Sequence, residues 1–210
     1  MKILSGISVL ALLMAGAATP SFATPLAPGA TVAPTVVAGN FFSNFTILGN
    51  TGAVPYTQGD DSGTIQEWVG TWSGNPVSGD NMVFVYQVHL TGGDAARVTG
   101  GSYAGFNTDV FTNVDGSGTT APLDASRSTS GVVVGFDFNP NLLPVATSYL
   151  LIVDTNANGF TTGPMSVIDD NTFTTNGFAP ANTPEPSTLS LLGTGLLAAG
   201  AGLRRKMRRA

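Results

Sequence analysis

The sequence contains no cysteine and one histidine, His89. Thiol nucleophiles, disulfide staples and Cys/His zinc sites are therefore excluded, and any Ser-His pair has a single imidazole to draw on. Charge is scarce too: Asp, Glu, Lys and Arg make up 10% of the 210 residues, against 42% hydrophobic ones. Such an apolar chain is not a disordered one. Long helices are also disfavoured, because 27 Gly and 13 Pro punctuate the chain. What is left is one large or two small domains, with no room for a multidomain machine.

The ends differ from the middle. Lys2, an apolar run over 3–18 and the small-x-small sequence Ser21-Phe22-Ala23 read as a secretory signal peptide, 1–23, forming a short signal helix cut before Thr24. At the other end, Pro184-Glu185-Pro186 precedes an uncharged segment, 187–203, and then Arg204, Arg205, Lys206, Arg208 and Arg209. As a helix that segment is roughly 25 Å long, short of the ~30 Å hydrocarbon core, so it spans a bilayer marginally. The basic cluster acts as a membrane stop and stays in the cytoplasm, which places the intervening domain on the far side. Both ends thus agree on orientation, with the intervening domain outside the cytoplasm.

Residues 24–181 then form the body, with only Arg97 and Arg127 against twelve carboxylates, a net charge of −10. A surface of that sign repels nucleic acid and anionic head groups and attracts cations. Its periodicity is two. Over 81–90, Met82, Phe84, Tyr86, Val88 and Leu90 fall on one face and Val83, Val85, Gln87 and His89 on the other. Similar strands are expected over 41–48, 64–72, 103–112, 131–138, 148–154 and 165–169. Gly/Asp/Asn clusters at 59–63, 92–94, 115–118 and 156–159 supply the turns. This pattern predicts an all-β fold, an antiparallel β-sandwich of jelly-roll-like or Greek-key type, with Trp68, Trp72, Phe84, Phe136, Phe138 and Tyr149 in its core. The echo between 160–163 and 173–177 fits the ends of two neighbouring strands. Residues 24–34 read as an extended lead-in and 178–186 as a proline-rich tether.

Pro184-Glu185-Pro186-Ser187-Thr188, the Leu/Gly-rich segment after it and the terminal basic cluster, three unlike elements in fixed order over 182–210, resemble the PEP-CTERM sorting signal of Gram-negative bacteria. The resemblance implies processing by an exosortase, a membrane cysteine protease or transpeptidase. It implies removal of the tail near 184–186, transient residence at the inner membrane, and delivery to the cell surface or an extracellular polysaccharide matrix. Stretches 130–136 and 148–153 are loosely similar to β-rich PEP-CTERM domains. The physics of the tail agrees: Pro184 and Pro186 hold Glu185 extended, as a protease binds its peptide.

Chemistry in the body is sparser. Asp154, Asn156 and Asn158, in Asp154-Thr155-Asn156-Ala157-Asn158-Gly159, match the first half of a calcium loop. The twelfth position is Met165, however, so Asp169 or Asp170 would have to add a carboxylate. The competing reading is an ordinary turn after a strand. Asp60, Asp61, Glu67 and Asp80 read as solvated loop acids. Gly100-Gly101-Ser102-Tyr103-Ala104 approximates a nucleophile elbow without its last glycine, and 116–121 approximates a dinucleotide loop but is followed by Pro122. The expectation is a non-catalytic surface or matrix protein without a required cofactor, touching polysaccharide through exposed aromatics such as Trp72 or Tyr103. The alternative is a Ca²⁺-dependent glycan-binding module or polysaccharide hydrolase.

Overall fold

The computed structural model describes residues 23–77, 79, 82–114, 118–182 and Thr194. The signal-peptide segment up to residue 22, Asp80, residues 115–117, the 184–186 motif, the apolar segment except Thr194 and the basic cluster lie outside the described residues. The strands are β1 (Thr24–Pro25), β2 (Thr31–Val32), β3 (Thr35–Val36), β4 (Phe45–Asn50), β5 (Val54–Gln58), β6 (Asp61–Trp72) and β7 (Met82–Gly92). They continue with β8 (Ala95–Gly100), β9 (Thr108–Asn113), β10 (Asp124–Arg127), β11 (Val134–Leu142), β12 (Leu150–Thr155), β13 (Gly159–Ile168) and β14 (Thr172–Ala181). One sheet has the order β1-β9-β12-β7-β6-β4, with β5 also on β6, and the other β14-β13-β8-β11-β10-β2. Pairing is antiparallel except for β3 on β9. The two sheets pack face to face as a sandwich, and the chain crosses between them repeatedly from β7 to β13.

Alternation explains the core. Met82, Phe84, Tyr86, Val88 and Leu90 of β7 face the second sheet and meet Val98, Val134, Phe136, Met165 and Val167 across it. Their burial is the main favourable term, about 1.5–3 kcal/mol for each large apolar side chain. The opposite face of β7 is not solvated at its start. Val83 and Val85 join Phe111, Leu150, Ile152 and Trp72 in a second cluster covered by Phe41 and Phe45. Trp68 and Tyr149, expected in the core, are half-buried.

Three stretches depart from the sequence expectation. Residues 41–44 form a 3-10 turn rather than the start of a strand. Asn40 Oδ1 accepts the Ser43 N–H at 3.0 Å, and consecutive Phe41 and Phe42 both serve the outer cluster, which alternation would forbid. The 103–112 strand begins only at Thr108, because Gly105, with φ 86°, turns the chain. The tether expected at 178–186 is strand as far as Ala181. Pro180 is tolerated because β14 is an edge strand of its sheet. The lead-in is likewise built in, β1 into the first sheet and β2 into the second.

The register gives the sandwich two distinct ends. Gly159 pairs with Ala181, and Pro25 with Asp109, which in turn pairs with Asp154. Both termini of the body therefore share one end, called proximal here. The turns after Gln58, Gly92 and Ile168 lie at the distal end, about 30 Å away along the ten residues of β13.

Candidate functional site

At the proximal end, residues 156–158 carry the chain from β12 to β13. Asp154 is fully buried, and its Oδ2 accepts a 2.6 Å bond from Asn75 Nδ2. Asn156 Oδ1 accepts the Asn107 N–H at 2.9 Å, and Asn158 is exposed. Asp154 and Asn156 thus tie the turn to neighbouring loops. Asp169 and Asp170 follow the far end of β13, so they cannot complete a calcium loop here, contrary to the sequence expectation.

Also proximal is Arg127, which sequence reading left without a role. Its guanidinium is buried and every donor arm is used. Nε donates to Gly131 O at 3.1 Å, and Nη1 to Leu26 O at 3.1 Å and Thr108 Oγ1 at 2.9 Å. Nη2 donates to Tyr103 O at 2.8 Å and Phe106 O at 2.9 Å. One side chain thereby joins the lead-in, the 103–106 turn and β9. Burial pulls its pKa below the usual arginine value.

The elbow-like sequence does not assemble a nucleophile. Ser102 does have φ 67°, but the chain turns into β9 rather than a helix. His89 projects from the outer face of the first sheet, where its Nδ1 lies 2.8 Å from Thr147 Oγ1. Ser102 follows β8 of the second sheet, so the two belong to different layers. His89, Thr64, Gln66, Gln87 and Thr147 line a polar cavity of about 370 Å³ on that outer face. Trp72, expected both in the core and as a polysaccharide contact, is 9% accessible, which fits the first role and not the second, and Tyr103 is 0% accessible. Trp72 packs on Phe41 and Phe111, and the Tyr103 hydroxyl is 2.6 Å from that of Tyr86 inside the core.

Glu67 is a second correction, being 0% accessible rather than a solvated loop acid. It shares the inward parity of Ile65 and Val69 on β6, a signal present in the alternation itself. Oε2 accepts the Phe178 N–H at 2.7 Å, whereas Oε1 has no hydrogen-bond partner among the described residues. Burial raises the carboxyl to about 8, outweighing the hydrogen bonds from Phe178 and Tyr86. Burial thus favours the protonated form of Glu67 near neutral pH. Gly177 is required beside it, because a Cβ there would run into Oε2.

At the distal end, Asp61, Asp94 and Asp169 come from three separate turns and place carboxylate oxygens within 4.8 Å of one another. Asp61 is only 6% accessible, and its Oδ1 accepts the Asp94 N–H at 3.1 Å. Asn141 Nδ2 bridges Asp94 Oδ2 at 3.1 Å and Asp169 Oδ1 at 2.9 Å. Partial burial raises the Asp94 carboxyl, with Asp169 and Asp61 adding to the rise. Neither basic residue of the body is bonded to the cluster. Arg97 pairs with Asp137 at 2.9 Å, and Arg127 is held proximally. The sequence groups Asp60 and Asp61 with Glu67 and Asp80 as loop acids. Instead Asp61 joins partners 33 and 108 residues away in sequence, a set that no local spacing announces.

Comparison with known families matches residues 182–206 to the PEP-CTERM protein-sorting motif. The match covers the tail alone, and it implies processing by an exosortase and export to the cell envelope or surface. No curated protein and no solved structure matches the chain.

Proposed function

We propose that this chain, carrying a PEP-CTERM sorting motif at 182–206, is a non-catalytic surface or extracellular-matrix protein whose tail is a temporary membrane handle. The motif match is the observation that carries this reading. Geometry supports it in two ways. The last described strand ends at Ala181, one residue before the motif begins, so a cut at 184–186 removes no described strand. β14 is paired with β13 along all ten residues, which lets the body keep its fold after the cut.

The body would act as stable, exported bulk, with an outer-face groove for weak contact with polysaccharide. Thr64, Gln66, Gln87, His89 and Thr147 offer hydroxyl, amide and imidazole groups suited to sugar hydroxyls. They replace the buried Trp72 and Tyr103 in that role. Deleting residues 182–210 tests the sorting half of the proposal. The truncated chain should fold and be exported but lose envelope retention, whereas continued retention would overturn the tail as the handle.

A further inference from the structure

We infer that Asp61, Asp94 and Asp169 form a site for a hard divalent cation, Ca²⁺ in chemical class, that ties together the three distal turns. Three carboxylates within 4.8 Å repel one another at neutral pH unless a cation or a proton intervenes. The body has two basic side chains, and both are engaged elsewhere. A second, independent observation points the same way. Tyr56 is 5% accessible, and its hydroxyl has no hydrogen-bond partner among the described residues. It sits on the inner face of the β5–β6 hairpin, opposite Gly63, while Asp61 on the same face is opposite Gln58. The ring stacks on Phe173 at 5.1 Å, beside the β13–β14 turn. Register and stacking thus set the Tyr56 ring beside Asp61 and against the strand that follows the Asp169 turn, and the Asp61 charge adds to the rise that burial gives the phenol.

The donor set selects the ion. All available ligands are oxygens, which excludes soft metals, and they come from separate turns that suit the irregular shell of Ca²⁺ better than the strict octahedron of Mg²⁺. Asn141 would orient two of the carboxylates through its amide rather than bind the ion itself. With three acidic ligands on turns, the dissociation constant belongs in the range of extracellular modules, about 10⁻⁴ to 10⁻³ M. This inference does not depend on the sorting tail.

The test uses the full-length chain in detergent, stripped with EDTA and titrated with CaCl₂ against MgCl₂ and NaCl at matched ionic strength. Ca²⁺ at 10 mM should raise Tm by about 3–10 °C. Hydrogen exchange in the wild-type chain should slow at 59–61, 92–95 and 169–171. Asp94→Asn and Asp169→Asn should each weaken the Ca²⁺ response at least tenfold, whereas N156A/N158A, which strips the proximal turn of its amide ligands, should leave it intact. No Ca²⁺ response up to 10 mM would overturn the proposal, as would an equal response to all three salts. Protection confined to 154–159 would overturn it as well, and the exchange experiment decides the matter even if the Asp variants fail to fold.

Discussion

The two ends of the sandwich solve one problem in opposite ways. Each must hold together chain segments that arrive from both sheets. The proximal end does so with a cation of its own, Arg127, whose five hydrogen bonds fasten the lead-in, a turn and a strand. The distal end gathers three carboxylates and one bridging amide, with no basic partner among the described residues. An end closed by its own arginine is complete when the chain folds. An end closed by carboxylates depends on what the surroundings supply, and an exported protein meets more Ca²⁺ outside the cytoplasm than within it.

That contrast can be broken most forcefully at Arg127. Arg127→Met removes five hydrogen bonds. Leu26 O and Tyr103 O keep the Thr108 hydroxyl and the Phe106 N–H, but Gly131 O and Phe106 O lose the guanidinium, and the unfolding free energy should fall by about 3 kcal/mol, read from the urea midpoint. Arg127→Lys should recover only part of it, since an ammonium cannot reach all five acceptors. Next in size is Gly177→Ala, whose methyl would push into Glu67 Oε2 and the Met165 side chain. The expected cost is about 2 kcal/mol.

Glu67 yields a prediction in pH. Its folded pKa of about 8 lies above the ordinary 4.5, so the native state holds a proton that the unfolded chain releases. The resulting stability is complete below about pH 4.5 and is lost as pH rises through 8. Thermal melts should therefore fall across that window by a few kcal/mol equivalent, and Glu67→Gln, neutral throughout, should flatten the profile. An unchanged slope in the variant would show that the carboxyl is not the source. The smallest effect is expected distally. In EDTA, Asp169→Asn should raise stability by under about 1 kcal/mol by removing one like charge, the opposite sign to any proximal change.

The sequence made one layer of this structure legible and hid another. Alternation over 81–90 announces β7, and Gly/Asp clusters mark its turns, because both signals are local. The echo between 160–163 and 173–177 reflects β13 and β14, which pair with each other. The 41–44 turn was hidden because its aromatics serve a second core on the outside of a sheet, a tertiary demand that overrides period two. Pro180 read as linker because its edge position is a property of the whole sheet. The distal cluster was illegible for a similar reason. Asp61, Asp94 and Asp169 each look like ordinary turn residues, and only the register of both sheets brings them together. Glu67, by contrast, reads as a solvated loop acid only when its parity with Ile65 and Val69 on β6 is overlooked, since that parity points it inward.

The most direct test of the account is intact-mass spectrometry of the protein recovered from the surface of the cells that make it. The proposed processing predicts a chain that begins at Thr24 and ends within 182–186, with or without an attached group. A mass that retains every residue to Ala210 would contradict it.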